Sequence, residues 1–158
     1  MPDIGIPHMN WNYLLVDDMT PEQASDCLDP WRPLIGGRIS PIFMSRFGFW
    51  FFLRPNGHVD GLDVFSGYVS EIAESHDDFV RLVNSPDWQD CYLFPALVAK
   101  LHEEKVVPGP GQCFALGAHP AKGGPNPANG DTVDPKTVMV MDAPIWQSIC
   151  AQMTGVGA

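Results

Sequence analysis

The densest apolar stretch of the chain, Phe47-Gly48-Phe49-Trp50-Phe51-Phe52, has neither the 3.6-residue period of a surface helix nor the alternation of a half-solvated strand. Aromatic and β-favouring residues fill Ile39 to Arg54, so this run predicts a central strand covered on both faces. Asn56-Gly57 follows, a pair suited to the positive φ angles of a tight hairpin turn, and His58 to Phe65 reads as the return strand. In that strand His58, Asp60 and Leu62 share one face while Val59, Gly61 and Asp63 share the other. Ser66-Gly67 turns the chain into a third strand, Tyr68 to Ile72. Phe47 to Ile72 is therefore expected to form an antiparallel meander with Trp50 and Phe52 buried.

Helical signals flank the meander. Thr20-Pro21-Glu22-Gln23 combines a capping hydroxyl, a proline at the first helical position and a glutamine completing a capping box, which starts a helix running to about Leu28. Asp29-Pro30-Trp31-Arg32-Pro33 is expected to end it, because a residue before proline is steered out of the helical region. Ser75 before His76-Asp77-Asp78 places carboxylates in a first turn and predicts a helix from His76 to Val83. Another begins at Ser85-Pro86-Asp87, and Pro95 should kink or split it.

Val107-Pro108-Gly109-Pro110-Gly111 leads into a short strand, Gln112 to Leu116. Gly117 to Pro135 is rich in glycine and proline, without periodicity, and reads as a long surface loop of the kind often functional in compact domains. Thr137 to Met141 is a strand, Asp142 a cap, and Ala143 to Met153 a helix whose Ile145, Ile149 and Met153 make one face. The terminal Gly155-Val156-Gly157-Ala158 is expected to fray. Together these elements imply an α+β fold, a largely antiparallel sheet with a central meander packed against several helices.

At 158 residues, 45% hydrophobic and 18% charged, the chain fits a single folded domain spanning residues 1–158. The start, Met1-Pro2-Asp3-Ile4-Gly5-Ile6-Pro7, lacks the basic-then-apolar pattern of an export signal, and no stretch is apolar enough to span a bilayer. Cys27, Cys91, Cys113 and Cys150 are scattered with no CxxC pair and read as reduced thiols, which points to the cytoplasm.

Charge is distributed unevenly. The net charge of −10 opposes nucleic-acid or anionic-membrane binding; a basic protein partner is its natural complement, although charge by itself speaks slightly more for solubility alone. From Arg32 to Arg54 there are four arginines and no carboxylate, whereas His58 to Asp90 holds eight acids against the single base Arg81. The candidate partner-binding residues are Asp60, Asp63, Glu71, Glu74, Asp77 and Asp78. Pairing of the arginines with this block inside the molecule is the alternative use for both.

The residue types of catalytic and metal sites occur without their spacing. His102-Glu103-Glu104 is no HExxH, and Ser75-His76-Asp77 cannot converge on one atom as consecutive residues. His58 with Asp60 is the nearest metal pattern, and Lys122 beside Gly123-Gly124 the nearest anion cradle. Neither fits a known ligand motif, so no catalytic residue, metal or cofactor is assigned. Trp11, Trp31, Trp50, Trp88 and Trp146 are spaced like core anchors, though one exposed indole would serve as a binding hot spot.

The run FGFWFFLRPNGHVDGLDVFSGYVSEIAESHDDF, Phe47 to Phe79, resembles the type VI secretion immunity proteins that protect against a DNase effector, a family long described only as a domain of unknown function. The likeness resumes at Gly111-Gln112-Cys113-Phe114-Ala115-Leu116, at Pro120-Ala121-Lys122-Gly123-Gly124 and in the helix from Ile145 to Gln152. The Gly124 to Val138 stretch is longer and richer in proline than in that family. The resemblance implies a non-enzymatic immunity protein that binds and neutralises a cognate toxin. Two other readings rest on the residues alone: a small enzyme using carboxylates such as Asp60 and Asp63, and a regulatory domain that offers the arginines of the first hairpin to an acidic or phosphate ligand.

Overall fold

The computed structural model describes residues 11–156, so the expectations placed on Met1 to Asn10 and on Gly157-Ala158 fall outside the described residues. Five strands, β1 (Leu15–Val16), β2 (Ser40–Ser45), β3 (Trp50–Leu53), β4 (Val59–Asp63) and β5 (Tyr68–Ala73), form one antiparallel sheet in chain order. A second sheet pairs β6 (Gln112–Leu116) with β7 (Val138–Asp142). The helices are α1 (Trp11–Leu14), α2 (Pro21–Leu28), α3 (Arg32–Ile35), α4 (His76–Val83), α5 (Pro86–Tyr92), α6 (Pro95–Glu103) and α7 (Ala143–Met153). The architecture is the α+β meander that the sequence implies, and no helix among the described residues is long and apolar enough to cross a membrane.

β3 lies in the middle of the sheet, and Trp50, Phe51 and Phe52 are all buried on it, as expected of a strand covered on both faces. On one face Phe51 packs among Phe43, Phe79, Trp88 and Tyr92, which brings in α4 and α5. On the other face the Arg54 guanidinium lies 5.1 Å from the centre of the Phe52 ring. It also donates to the carbonyls of Ile35 and Gly36 at the end of α3. Aromatic contacts of this kind add to what area burial alone contributes.

The strand expected from Phe47 to Phe52 begins only at Trp50. Residues 46–49 instead make a turn between β2 and β3, with Gly48 at φ +97°. The cause is local: buried Ser45 accepts at its Oγ from the backbone N–H groups of Phe47 and Phe49, and only glycine reaches such a φ without strain. The chain after Leu28 also departs from expectation. It stays helical through a tight turn, Asp29–Trp31, into α3. Pro30 and Pro33 sit at first-turn positions, where the missing N–H costs nothing.

Other boundaries agree with the sequence. Thr20 and Gln23 form a reciprocal capping box on α2, Ser75 caps α4, and Phe94 in a left-handed conformation splits α5 from α6 at Pro95. On α7 the inward face is Ala143, Trp146, Gln147, Cys150 and Ala151, while of the expected Ile145–Ile149–Met153 face Ile145, 53% exposed, and Met153 turn outward and Ile149 packs half-buried at the edge of the core. Two long-range bonds decide this orientation. Trp146 donates from Nε1 to the Phe47 carbonyl at 2.8 Å, and Gln147 donates from Nε2 to the Gly48 carbonyl at 2.8 Å. The Asp142 side chain, expected to cap α7, makes no capping bond and accepts from Gln112 instead.

Candidate functional site

Glu71, Glu74, Asp77 and Asp78 gather at one corner, where the end of β5 meets the start of α4, whereas Asp63 lies at the other end of β5, in the β4–β5 turn. β4 and β5 pair in the register Asp60↔Glu71 and Asp63↔Tyr68, so Asp60 and Glu71 are neighbours on one side of the sheet. Glu74 follows β5 directly, and Asp77 and Asp78 occupy the first turn of α4. An open groove of about 400 Å³ runs between β5 and α4, with Glu71, Glu74 and Asp78 on its walls.

The six acids are not equivalent. Asp60 accepts from Arg54 Nε at 2.9 Å, and both side chains are less than one-fifth exposed, so this carboxylate holds the β3–β4 hairpin to α3. Asp63 accepts at Oδ1 from the N–H groups of Phe65 and Ser66, shaping the β4–β5 turn. Asp60 and Asp63 lie three residues apart in β4 and therefore point to opposite faces. They do not converge as the pair of an enzyme site. Glu71 contacts His58 at Nδ1, and Asp78 is ion-paired with Arg81. Glu71, Glu74 and Asp77 are exposed.

Intramolecular pairing thus claims Arg54 from the arginine segment and Arg81 from within the acidic one. Arg32 lies 3.6 Å from Asp29 and donates to Ser25 at 3.3 Å. Arg38 is exposed, and with Arg32, Arg54, Ser40 and Gly37 it lines a shallow basic groove of about 590 Å³. Arg46 is spent on structure. It donates to the carbonyls of Asn12 at 3.0 Å, Gln112 at 3.1 Å and Gly109 at 3.4 Å, tying β2 to the segment before β6. A hollow of about 280 Å³ adjoins it, where the His102 and Tyr13 rings meet at a tilt of 57°. Burial, and then the Arg46 charge, hold His102 below the usual histidine range.

His119 is the long-range anchor of the Gly117–Pro135 loop. It is 5% exposed, packs between Phe65 and Trp146, and accepts at Nδ1 from the Ala121 N–H at 3.0 Å. Its buried Nε2 lacks a well-formed hydrogen bond, and burial lowers its pKa despite the nearby Val64 backbone and Asp63. The loop itself is ordered by three tight helical turns, Pro120–Lys122, Pro127–Asn129 and Pro135–Thr137, and by burial of Val133 and Pro135. The Gly123 and Gly124 N–H groups are taken by the carbonyls of Pro120 and His119, so no anion cradle forms beside Lys122.

All five tryptophans are buried, and the indole hot spot considered from sequence is absent. Of the two exposed aromatics among the described residues, Tyr13 and Tyr68, the more exposed is Tyr68, 61% exposed at the start of β5. Sequence reasoning treated it only as a strand residue, although its place just after the Ser66-Gly67 turn was the signal that it sits at a rim. Among the described residues no group of three or more His, Cys, Asp or Glu side chains could hold a metal ion. Cys27, Cys113 and Cys150 are buried free thiols, and Cys91 is an exposed one. Burial pushes the Cys27 thiol up to about 12, and Cys113 and Cys150 rise likewise. No protein-family model matches the chain, and no curated protein matches it.

Proposed function

We propose that this protein is an immunity-type domain that neutralises a basic, secreted bacterial toxin by binding it in a stoichiometric complex. The observation that carries the reading is the acidic corner. Carboxylates from β5 and α4 line one open groove on elements held rigid by the core. A fixed cluster of one sign steers an oppositely charged partner and speeds encounter. Nuclease toxins must approach phosphate backbones and are accordingly basic. The likeness of Phe47 to Phe79 to type VI secretion immunity proteins supports the same reading. The buried free thiols fit a reducing compartment, and we place the protein in the cytoplasm.

The deciding experiment titrates the purified protein against the toxin encoded by the neighbouring gene. Full neutralisation is expected at one equivalent, with a complex that co-elutes in gel filtration. Neutralisation far below one equivalent would mean turnover and would replace this reading with an enzymatic one. The basic groove of Arg32, Arg38 and Arg54 favours a second reading, recognition of an acidic or phosphorylated ligand. Saturable binding of inorganic phosphate that is lost in Arg38→Ala would support it.

A further inference from the structure

β5 is the last strand of the sheet, and its first four residues pair regularly with β4. It pairs with β4 on one side, and among the described residues no backbone hydrogen bond joins Tyr68–Ala73 to any other element. The opposite edge, β1, has two residues, both buried. An edge with open N–H and C=O groups is a template for a further strand, and proteins usually block it with proline, lysine or a covering segment. β5 contains no proline and no lysine, and its blocking features are confined to Glu71 and the bulge near its end. Its register shift against β4 falls between Val59 and Asp60, near its last residues, leaving Tyr68 to Glu71 in regular pairing.

What lies beside this edge selects the occupant. Gly61 lets the Ile72 side chain lie across β4, because a Cβ there would come within 2.8 Å of Ile72. Ile72, Tyr68, Tyr92 and Phe51 then line a recess of about 170 Å³ next to the strand. Glu71, on the other face of β5, and Glu74 and Asp78 beyond it supply negative charge. A second copy of this chain pairing through β5 would bring these carboxylates against their own duplicates, which opposes such pairing. A lysine- or arginine-bearing strand meets the opposite condition.

We propose that the β5 edge accepts an extended basic segment of the partner protein as a sixth strand. Basic side chains of that segment face Glu71, Glu74 and Asp78, and alternate apolar side chains face the Tyr68–Ile72–Tyr92 recess. This deepens the protein-binding reading and rests on it. Main-chain bonds give such an added strand its affinity, and the alternation of side chains gives it specificity. Arg81, now paired with Asp78, yields that carboxylate to the incoming base.

The test uses an acetylated, amidated heptapeptide of alternating lysine and valine, with two N-methylated versions. One carries methyl groups on the lysine amides, the other on the valine amides. A strand docks through one edge only, so one version should bind on the order of tenfold more weakly than the parent and the other should keep most of its affinity. Amide shifts in a titration followed by NMR should concentrate in residues 68–74. Equal binding of the two methylated peptides, shifts centred elsewhere, or no saturable binding would overturn the proposal. None of these outcomes bears on whether the neighbouring toxin is neutralised at one equivalent, so the two readings fail separately.

Discussion

Two polar regions of this molecule follow opposite rules. At the junction of α7 with the β2–β3 turn, Trp31, Trp146 and Gln147 are essentially inaccessible to solvent, and their polar atoms are paired. Trp31 Nε1 donates to Gln147 Oε1 at 2.6 Å, Gln147 Nε2 donates to the Gly48 carbonyl, and Trp146 Nε1 to the Phe47 carbonyl. At the acidic corner, Glu74 and Asp77 stand in solvent with no ion-pair partner among the described residues, and Glu71 and Asp78 hold their contacts with His58 and Arg81 near the surface. A buried polar group that loses its partner leaves an unsatisfied atom at a cost of about 1–3 kcal/mol, while exposed ion pairs are worth about 0–1. The first region therefore specifies the fold. The second is free to be shaped by what it binds.

Removing the buried anchor should show the largest effect. Trp146→Ala deletes a core indole and its bond to the β2–β3 turn, and it is expected to cost about 3–5 kcal/mol, read from the urea unfolding midpoint. A loss below about 1 kcal/mol would break the contrast, since the network would then be ornamental. Arg54→Met comes next, at about 1–3 kcal/mol, because it leaves the half-buried Asp60 unpaired and releases the end of α3. This pair ties an acid of the block to the fold, so a neutral result would move Asp60 to the partner surface.

The histidines sharpen the comparison through pH. Burial lowers the folded-state pKa of both His102 and His119, so each resists protonation more in the folded chain than in the unfolded one. Their contribution to stability is complete above the unfolded value of about 6.5 and is lost as pH falls through that value toward the folded ones. Stability should therefore decline with acidification in this window, and His119→Asn, which can still cap Ala121, should flatten the slope. An unchanged slope in the variant would remove His119 as the source. The smallest effect on stability is expected from Glu74→Lys with Asp77→Lys, within about 0.5 kcal/mol of the parent. The same variant should associate more slowly with a basic partner, and its rate should depend less on salt, in stopped-flow measurements at two ionic strengths. Unchanged rates at both would reduce the acidic corner to a solubility feature.

The sequence by itself determined what depends on neighbours along the chain. The capping box at Thr20 and Gln23, the Ser75 cap, the Asn56-Gly57 turn and the split at Pro95 are chemistry among residues a few positions apart, and each is where the pattern placed it. The meander followed from those turns and from the apolar run that only a covered strand can carry. Tertiary structure decided the rest. The inward face of α7 is set by hydrogen bonds to residues 99 positions away, and Trp31 meets Gln147 across 116, separations at which no periodicity carries information. For that reason the apolar Ile145–Ile149–Met153 stripe misled, since the bonds of Trp146 and Gln147 outweigh burial of Ile145 and Met153 and leave Ile149 only half-buried. The acidic block was legible as composition, but which acids brace the fold and which face solvent depends on where Arg54, Arg81 and His58 come to rest. Charge is written in the chain, whereas its availability is a property of the packed surface.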